Sequence, residues 1–195
     1  MTVHMSNGGV IRRAVSRGLM PALIFALGGT SVSAMDDPEL VWSHKEWSAG
    51  YEMGRCAIWT GGDGSGIFEI EVDMGGYNAS ASYLPIVYSN YPIPLREDDE
   101  FELYIDHQMS DFGPEMGFYD SMDSYGRYMV AAGMTDGFVP DLIGTFRGAN
   151  SVAVEVLHYG EPPFVADEFS LSGFTATYLK ISEWCRFDPN HLFRS

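Results

Sequence analysis

Apolar and acidic residues alternate strictly in the stretch IFEIEVD (67–73). Phe68, Ile70 and Val72 fall on one side of an extended chain, and three acidic side chains fall on the other. This period of two is typical of a half-buried β-strand. The stretch FELYIDH (101–107) repeats the pattern. The centre of the chain is therefore predicted to form strands.

Most other segments are short and are separated by Gly, Pro, Asn and Asp, as in antiparallel β proteins. Weaker strand patterns occur at YEMGRCAIWT (51–60), ASYLPIVYS (81–89), RYMVAAGM (127–134) and SVAVEVLH (151–158). Pro85 predicts an edge position or a bulge for its strand, because Pro cannot donate a ladder hydrogen bond. We expect a mainly β fold: a single antiparallel β-sandwich-like domain with one or two short helices near the C-terminus.

Two stretches have helical patterns. In VPDLIGTFRGAN (139–150), Pro140 stands early and Gly148 stands near the end. In FSLSGFTATYLKISEWC (169–185), Ser172 is the expected N-cap. The apolar side chains that follow recur at spacings of four, three and four residues, which forms one helix face: Phe174, Tyr178, Ile181 and Cys185.

The first 34 residues have the order of a secretory signal peptide. A basic segment with three Arg precedes a short apolar run and then small residues that end at Ala34. The apolar run is shorter than the roughly 20 residues that span a bilayer. We therefore expect a signal peptide at 1–34, one β-rich exported domain at 35–195, and a periplasmic or secreted location without a membrane anchor after cleavage.

The chain is strongly acidic, with 11 basic and 27 acidic side chains and a net charge of −16. Removal of the three Arg of the leader would lower this charge from −16 to −19. Such a surface repels phosphate backbones, so we expect no nucleic-acid partner. The charge favours solubility, basic partners or cations.

The chain has two cysteines, Cys56 and Cys185. In an exported protein, an even number of cysteines predicts a disulfide, and two cysteines allow one intramolecular pairing. No second Cys or His stands at metal-ligand spacing from either one, and no C-x-x-C motif is present. We expect a Cys56–Cys185 disulfide.

The glycine-rich stretch GGDGSG (61–66) places Ser65 among glycines, as nucleophilic serines are placed in some hydrolases. The G-x-S-x-G elbow would need Gly at 63 and 67, where Asp63 and Ile67 stand. Two strand patterns flank the stretch, and glycines supply the positive φ angles of hairpin turns. We interpret it as a hairpin loop.

Asp106 and His107 are the candidate catalytic residues. His107 could act as a general base that a neighbouring carboxylate orients, although a strand ending in a polar loop is the interpretation that we favour. His158 ends a strand pattern and faces either solvent or a cleft. The acidic run from Glu97 to Glu100 in REDDEFE is interpreted as a solvated turn. Neither REDDEFE nor YDSMDSYG has the ligand spacing of a calcium loop, so we expect no metal site and no cofactor.

Methionines and aromatic residues are concentrated between residues 109 and 134. Core packing is the first interpretation of this segment, a ligand or partner surface is the second, and Cu(I) binding is the third. The candidate ligand or partner surface comprises Met116, Phe118, Tyr119, Met122 and Tyr125. The four Trp residues could stack on sugars or fill the core.

The tail DEFSLSGFTATYLKISEWC resembles the closing strand and helix of exported bacterial proteins related to invasion-associated locus B. In those proteins, a stretch similar to F-S-L-x-G-F-T-A-A leads into a short helix. The residues that match it here are Phe169, Ser170, Leu171, Gly173, Phe174, Thr175 and Ala176, and Thr177 stands in place of the second Ala. The preceding GTFRGANSVAVEV is similar to the helix and strand before that ending. The resemblance covers about 45 residues and implies an exported, sandwich-like domain. It transfers no catalytic residues.

The sequence predicts an exported cell-envelope protein with a non-enzymatic binding or accessory role, because no catalytic signature fits. Its partner would be an unknown envelope protein or a small ligand. A hydrolase that uses Asp106, His107 or the acidic loops is the first alternative, and a metal-binding protein is the second.

Overall fold

The computed structural model describes residues 40–64, 66–85, 95–122, 128–135 and 137–192, with backbone alone at 121, 122 and 128. In these residues, eleven strands form two antiparallel sheets. The strands are β1 (Leu40–His44), β2 (Trp47–Glu52), β3 (Arg55–Gly61), β4 (Ile67–Asp73), β5 (Ser80–Leu84), β6 (Glu100–Ile105), β7 (Gln108–Met109), β8 (Gly117–Met122), β9 (Tyr128–Thr135), β10 (Ser151–Leu157) and β11 (Phe164–Ser170). The mainly β fold class is confirmed.

The larger sheet has seven strands in the order β1-β2-β3-β4-β5-β9-β8, and the smaller sheet has four in the order β11-β10-β6-β7. Two α-helices occur in the described residues, α1 (Val139–Phe146) and α2 (Phe174–Trp184), along with a 3₁₀ turn at Gly113–Glu115. No helix among these residues has the length and hydropathy needed to cross a bilayer.

The predicted inner face of β4 is confirmed, because Phe68, Ile70 and Val72 are fully buried in the main core. The prediction for the opposite face was wrong in one respect, since Glu69 is only 1 % exposed. A second apolar cluster lies on that side of the sheet and includes Trp59 and Ile67 from β3 and β4. The central strands of the larger sheet are therefore buried on both faces.

The two predicted helices form, and the apolar face of α2 is fully buried from Phe174 to Cys185. The expected N-cap Ser172 was wrong. Gly173 holds that position with φ +106°, and a Cβ there would overlap the carbonyl of His44. The end of β1 approaches too closely for any side chain, so Gly replaces a hydrogen-bonding cap.

Two strand boundaries differ from the prediction. The stretch 51–60 forms two strands, because Met53 and Gly54 adopt positive φ and make a hairpin turn between β2 and β3. Strand β5 lies between β4 and β9 and not at an edge. It ends at Leu84, immediately before Pro85, so the proline terminates the strand.

The structure joins Cys56 on β3 to Cys185, the residue that follows α2, in a disulfide with a Cα–Cα distance of 6.2 Å. Both residues are fully buried. Helix α2 packs on β1, β2 and β3, so the disulfide lies at the β1 side of the larger sheet.

Candidate binding site

A cleft of about 600 Å³ opens beside β8, the edge strand of the larger sheet. Its lining comes from the segment before β6, from β8 and from β9. The lining residues are Leu95, Arg96, Glu97, Phe118, Tyr119, Asp120 and Val130.

The register between β8 and β9 shows which way the cleft faces. Phe118 pairs with Ala132, and Asp120 pairs with Val130. Directly paired residues of antiparallel strands share one face of the sheet. Val130 and Ala132 belong to the main core, so Phe118 and Asp120 lie on the same inner face. The cleft therefore opens into the space between the two sheets.

The floor of the cleft is apolar, and its rim is charged. Leu95 is 2 % exposed and Val130 is 3 % exposed. At the rim, the Arg96 guanidinium donates to Glu161 at 2.8 Å, and this hydrogen bond holds the pKa of Glu161 below its usual range. Glu97 and Asp120 are exposed and form no ion pair with other described residues. The charge left unbalanced on the rim is negative.

A buried Asp–His pair supports the wall of the cleft. Asp99 and His158 lie 2.5 Å apart, from Oδ1 to Nδ1, and the Asp99 side chain is inaccessible to solvent. The other carboxylate oxygen of Asp99 accepts the backbone N–H of Arg96 at 2.6 Å. The pair therefore fixes the turn that presents Arg96 and Glu97 to the cleft.

The position of this pair follows from the ladder between β6 and β10. Glu100 pairs with Leu157, so Asp99 and His158 occupy the next rung. Both residues continue the inward-facing series of their strands, which explains their burial. The sequence pattern left two orientations open for His158, and it predicted a solvated turn for the acidic run around Asp99. Asp99 is buried, so the solvated-turn prediction was wrong for this residue. The alternation of inward and outward side chains along β6, extended by one residue beyond Glu100, would have predicted its burial.

Tyr119 lies on the opposite face of β8 from Phe118. A Cβ on Gly133 would come within 2.9 Å of its ring, so the ring covers the glycine of the neighbouring strand. Partial burial raises the pKa of the Tyr119 phenol, which nevertheless stays 42 % exposed. It is an accessible aromatic side chain at the edge of the cleft.

The structure brings two of the five predicted surface residues to the cleft, Phe118 and Tyr119. Met116 packs in the core with 6 % exposure. The side chain of Met122 and all of Tyr125 lie outside the described residues. Leu95, Arg96 and Glu97 were not predicted, because only the tertiary structure brings them next to β8.

Asp106 and His107 form the turn between β6 and β7, with φ of 48° and 64°. The Asp106 carboxylate accepts the backbone N–H groups of Asn150 and Ser151 at 2.8 and 3.0 Å. These hydrogen bonds lower its pKa. The carboxylate thus holds the start of β10, and a catalytic role for Asp106 or His107 stays a prediction.

The glycine-rich loop between β3 and β4 is held by a buried carboxylate. Asp167 on β11 is 2 % exposed and accepts the N–H groups of Gly64 and Gly66 at 2.5 and 3.0 Å. Ser65 lies outside the described residues. The predicted hairpin is present, but Gly62, Gly64 and Gly66 do not supply positive φ. A Cβ on Gly62 or Gly66 would overlap the Asp167 carboxylate, and a Cβ on Gly64 would overlap the Ala166 carbonyl. Glycine is therefore needed at these positions because β11 approaches the loop closely.

Among the described residues, no three His, Cys, Asp or Glu side chains converge as metal ligands. The Trp side chains divide between the core and the surface. Trp47 is fully buried and donates to the Ser170 carbonyl at 2.8 Å, whereas Trp42 and Trp184 are half-buried.

No known protein family matches the sequence, and no curated protein matches it. The fold is similar to that in the crystal structure of invasion associated protein B from Bartonella henselae, with a TM-score of 0.54 and 14% sequence identity. The similarity covers 75% of this chain and 99% of that chain. Identity at this level shows a shared fold alone.

Proposed function

We propose that the chain is an exported cell-envelope protein with a non-enzymatic accessory role, and that it binds its partner in the cleft beside β8. The observation that carries the proposal is the cleft itself, with an apolar floor at Leu95 and Val130 and an acidic rim at Glu97 and Asp120. Concave sites with an apolar lining and a few polar groups are the usual ligand sites of proteins.

Export is supported by two independent features. Residues 1–34, which lie outside the described residues, have the order of a cleavable signal peptide. The buried Cys56–Cys185 disulfide suits an oxidising compartment such as the periplasm or the extracellular space. The mature protein would then begin near residue 35 and carry its acidic surface in solution.

We also propose a relationship with proteins of the invasion-associated locus B type. The shared fold supports it. The C-terminal stretch that prompted the resemblance forms the junction between β11 and α2, where Phe169, Leu171 and Phe174 are buried. These residues close the core at the end of the domain.

Site-specific photo-crosslinking in the native envelope tests the role of the cleft. A photoreactive amino acid at Glu97 should form an adduct with one partner. The matched control at Glu183, an exposed position on α2, should not. The charge reversal Asp120→Lys should remove the Glu97 adduct and leave the amount of folded protein unchanged.

Equal adducts from positions 97 and 183 would contradict binding in the cleft. Substrate turnover that His107→Ala abolishes would contradict the non-enzymatic role. Intact mass of the protein from its native compartment checks export separately, because a chain that keeps residues 1–34 has not been processed.

A further inference from the structure

The shape of the cleft relative to β8 indicates how a ligand would lie in it. Phe118, Tyr119 and Asp120 are consecutive, and all three line the cleft. Consecutive residues of a strand point to opposite faces of the sheet. A space that touches all three must therefore reach the free edge of the strand as well as its inner face.

That edge offers backbone hydrogen-bonding groups. Within the described residues, β8 is the last strand of its sheet and pairs with β9 alone. Edge strands are usually protected by Lys, Pro or inward-facing charges. The sequence GFYDSM of β8 contains no Lys or Pro, and its single charge is the carboxylate of Asp120. Asp120 is itself an inward-facing charge, so it opposes an added strand unless that strand places a Lys or Arg beside it.

The charges around the cleft select for a basic ligand. Among the described residues of the lining, Arg96 is the only cation, and Glu161 neutralises it at 2.8 Å. Glu97 and Asp120 then face the opening without a counter-charge among the described residues. The net charge of −16 for the whole chain adds a long-range attraction for cations.

From these three observations we infer that the cleft binds a basic, extended segment of a partner protein, which adds to β8 as a further strand. On the inner face, apolar side chains of that segment pack beside Leu95 and Val130, and a Lys or Arg of the same face meets Asp120. A second basic side chain meets Glu97. Strand addition of this kind takes affinity from main-chain hydrogen bonds and specificity from alternate side chains. The inference rests on the proposed function and specifies the chemistry of the partner.

A synthetic peptide tests the inference directly. The probe is a blocked peptide of about nine residues in which pairs of Val alternate with pairs of Lys, so that each face of the strand carries both residue types. It is long enough to pair with a strand of ordinary length. We expect it to bind the purified, disulfide-bonded protein and to slow amide hydrogen exchange along β8. The double variant Glu97→Gln/Asp120→Asn should bind roughly ten-fold more weakly or worse. The control Glu183→Gln, on the helix near the opposite edge of the sheet, should bind as the wild type does.

Three further ligands separate charge from strand pairing. The same peptide with Glu in place of Lys should not bind. An N-methylated analogue, which keeps the charges but cannot pair its backbone, should lose most of the affinity, and spermine should compete weakly. Equal binding of the N-methylated analogue, or absence of protection along β8, would overturn strand addition. The crosslink from position 97 in the envelope does not depend on strand pairing. It would therefore still be observed if strand addition were wrong, and it would be lost only if the proposed function were wrong.

Discussion

The Tyr83 hydroxyl on β5 donates to the Asp167 carboxylate on β11 at 2.7 Å, so one buried hydrogen bond joins the two sheets. Burial and this hydrogen bond raise the pKa of Tyr83, which keeps the phenol protonated as a donor. The same carboxylate holds the amides of Gly64 and Gly66. One side chain therefore satisfies three donors from the opposite sheet and its loop.

Replacement of this carboxylate should be strongly destabilising. Asp167→Ala leaves two buried donors, the Tyr83 hydroxyl and the Gly66 amide, without their acceptor, each at a cost of about 1–3 kcal/mol, and it also releases the exposed Gly64 amide, so we expect a loss of about 2 kcal/mol or more. Tyr83→Phe, the control, removes one donor and should cost about 1 kcal/mol. Urea unfolding measures both variants. An Asp167→Ala protein within about 0.5 kcal/mol of the wild type would show that the network contributes little.

The glycine-rich loop gives a second prediction. In Gly64→Ala, the new methyl group would overlap the Ala166 carbonyl and crowd the Asp167 carboxylate. We expect a loss of about 1–3 kcal/mol in the free energy of unfolding, as for other overpacked sites. Gly61→Ala is the matched control, because a Cβ there meets nothing within 4 Å. Equal urea midpoints for the two variants would contradict close approach as the reason for glycine.

The disulfide should contribute much of the stability. Cys56 and Cys185 are 129 residues apart, and closure of so long a loop in the unfolded chain corresponds to about 4–5 kcal/mol. We expect the double variant Cys56→Ser/Cys185→Ser to unfold at a much lower temperature than the wild type. Addition of reductant should lower the melting temperature of the wild type and leave that of the variant unchanged. Alkylation of both thiols in the folded, unreduced protein would show that the disulfide is absent.

Acid sensitivity should depend on Asp106. Its pKa is lowered from an ordinary value of 3.8 by the amides of Asn150 and Ser151, so its carboxylate stabilises the fold above that value. This stabilisation is lost as the pH falls through the lowered pKa of the folded state. Near pH 6, the urea midpoint of Asp106→Asn should be lower than that of the wild type. The difference between the two midpoints should become smaller as the pH is lowered to about 3. The control Asp111→Asn, an exposed neighbour outside this hydrogen-bond set, should leave the urea midpoint near pH 6 unchanged. A difference for Asp106→Asn that is the same at both pH values would contradict this role.

Local sequence patterns were sufficient to predict the strands and helices that bury one face and expose the other. Alternation located β4 because Phe68 and Ile70 must face the core, and helical spacing located α2 because Phe174 and Tyr178 must share a face. These signals lie within a few residues of one another. The strands without such a pattern were missed, among them β1 and β8, which lie at the two edges of the larger sheet.

The missed features depend on residues far apart in the chain. Gly64 is 103 residues from Asp167, and Asp99 is 59 residues from His158. Nothing near Gly173 in the sequence shows that the carbonyl of His44 will approach it. The cleft is missed for the same reason, because its wall and its edge strand meet only when β6 and β8 are placed in different sheets. Pairings of this kind become visible only when register is known.

The disulfide also determines how the domain would respond to mechanical load. It ties the residue after the last helix to β3, and β3 lies inside the larger sheet. Force applied beyond residue 185 would pass through the sulfur–sulfur bond into that sheet and could not extend the 129-residue span between the two cysteines. Strands β10 and β11 lie within that span and would be shielded from extension, as would β8 at the far edge of the larger sheet.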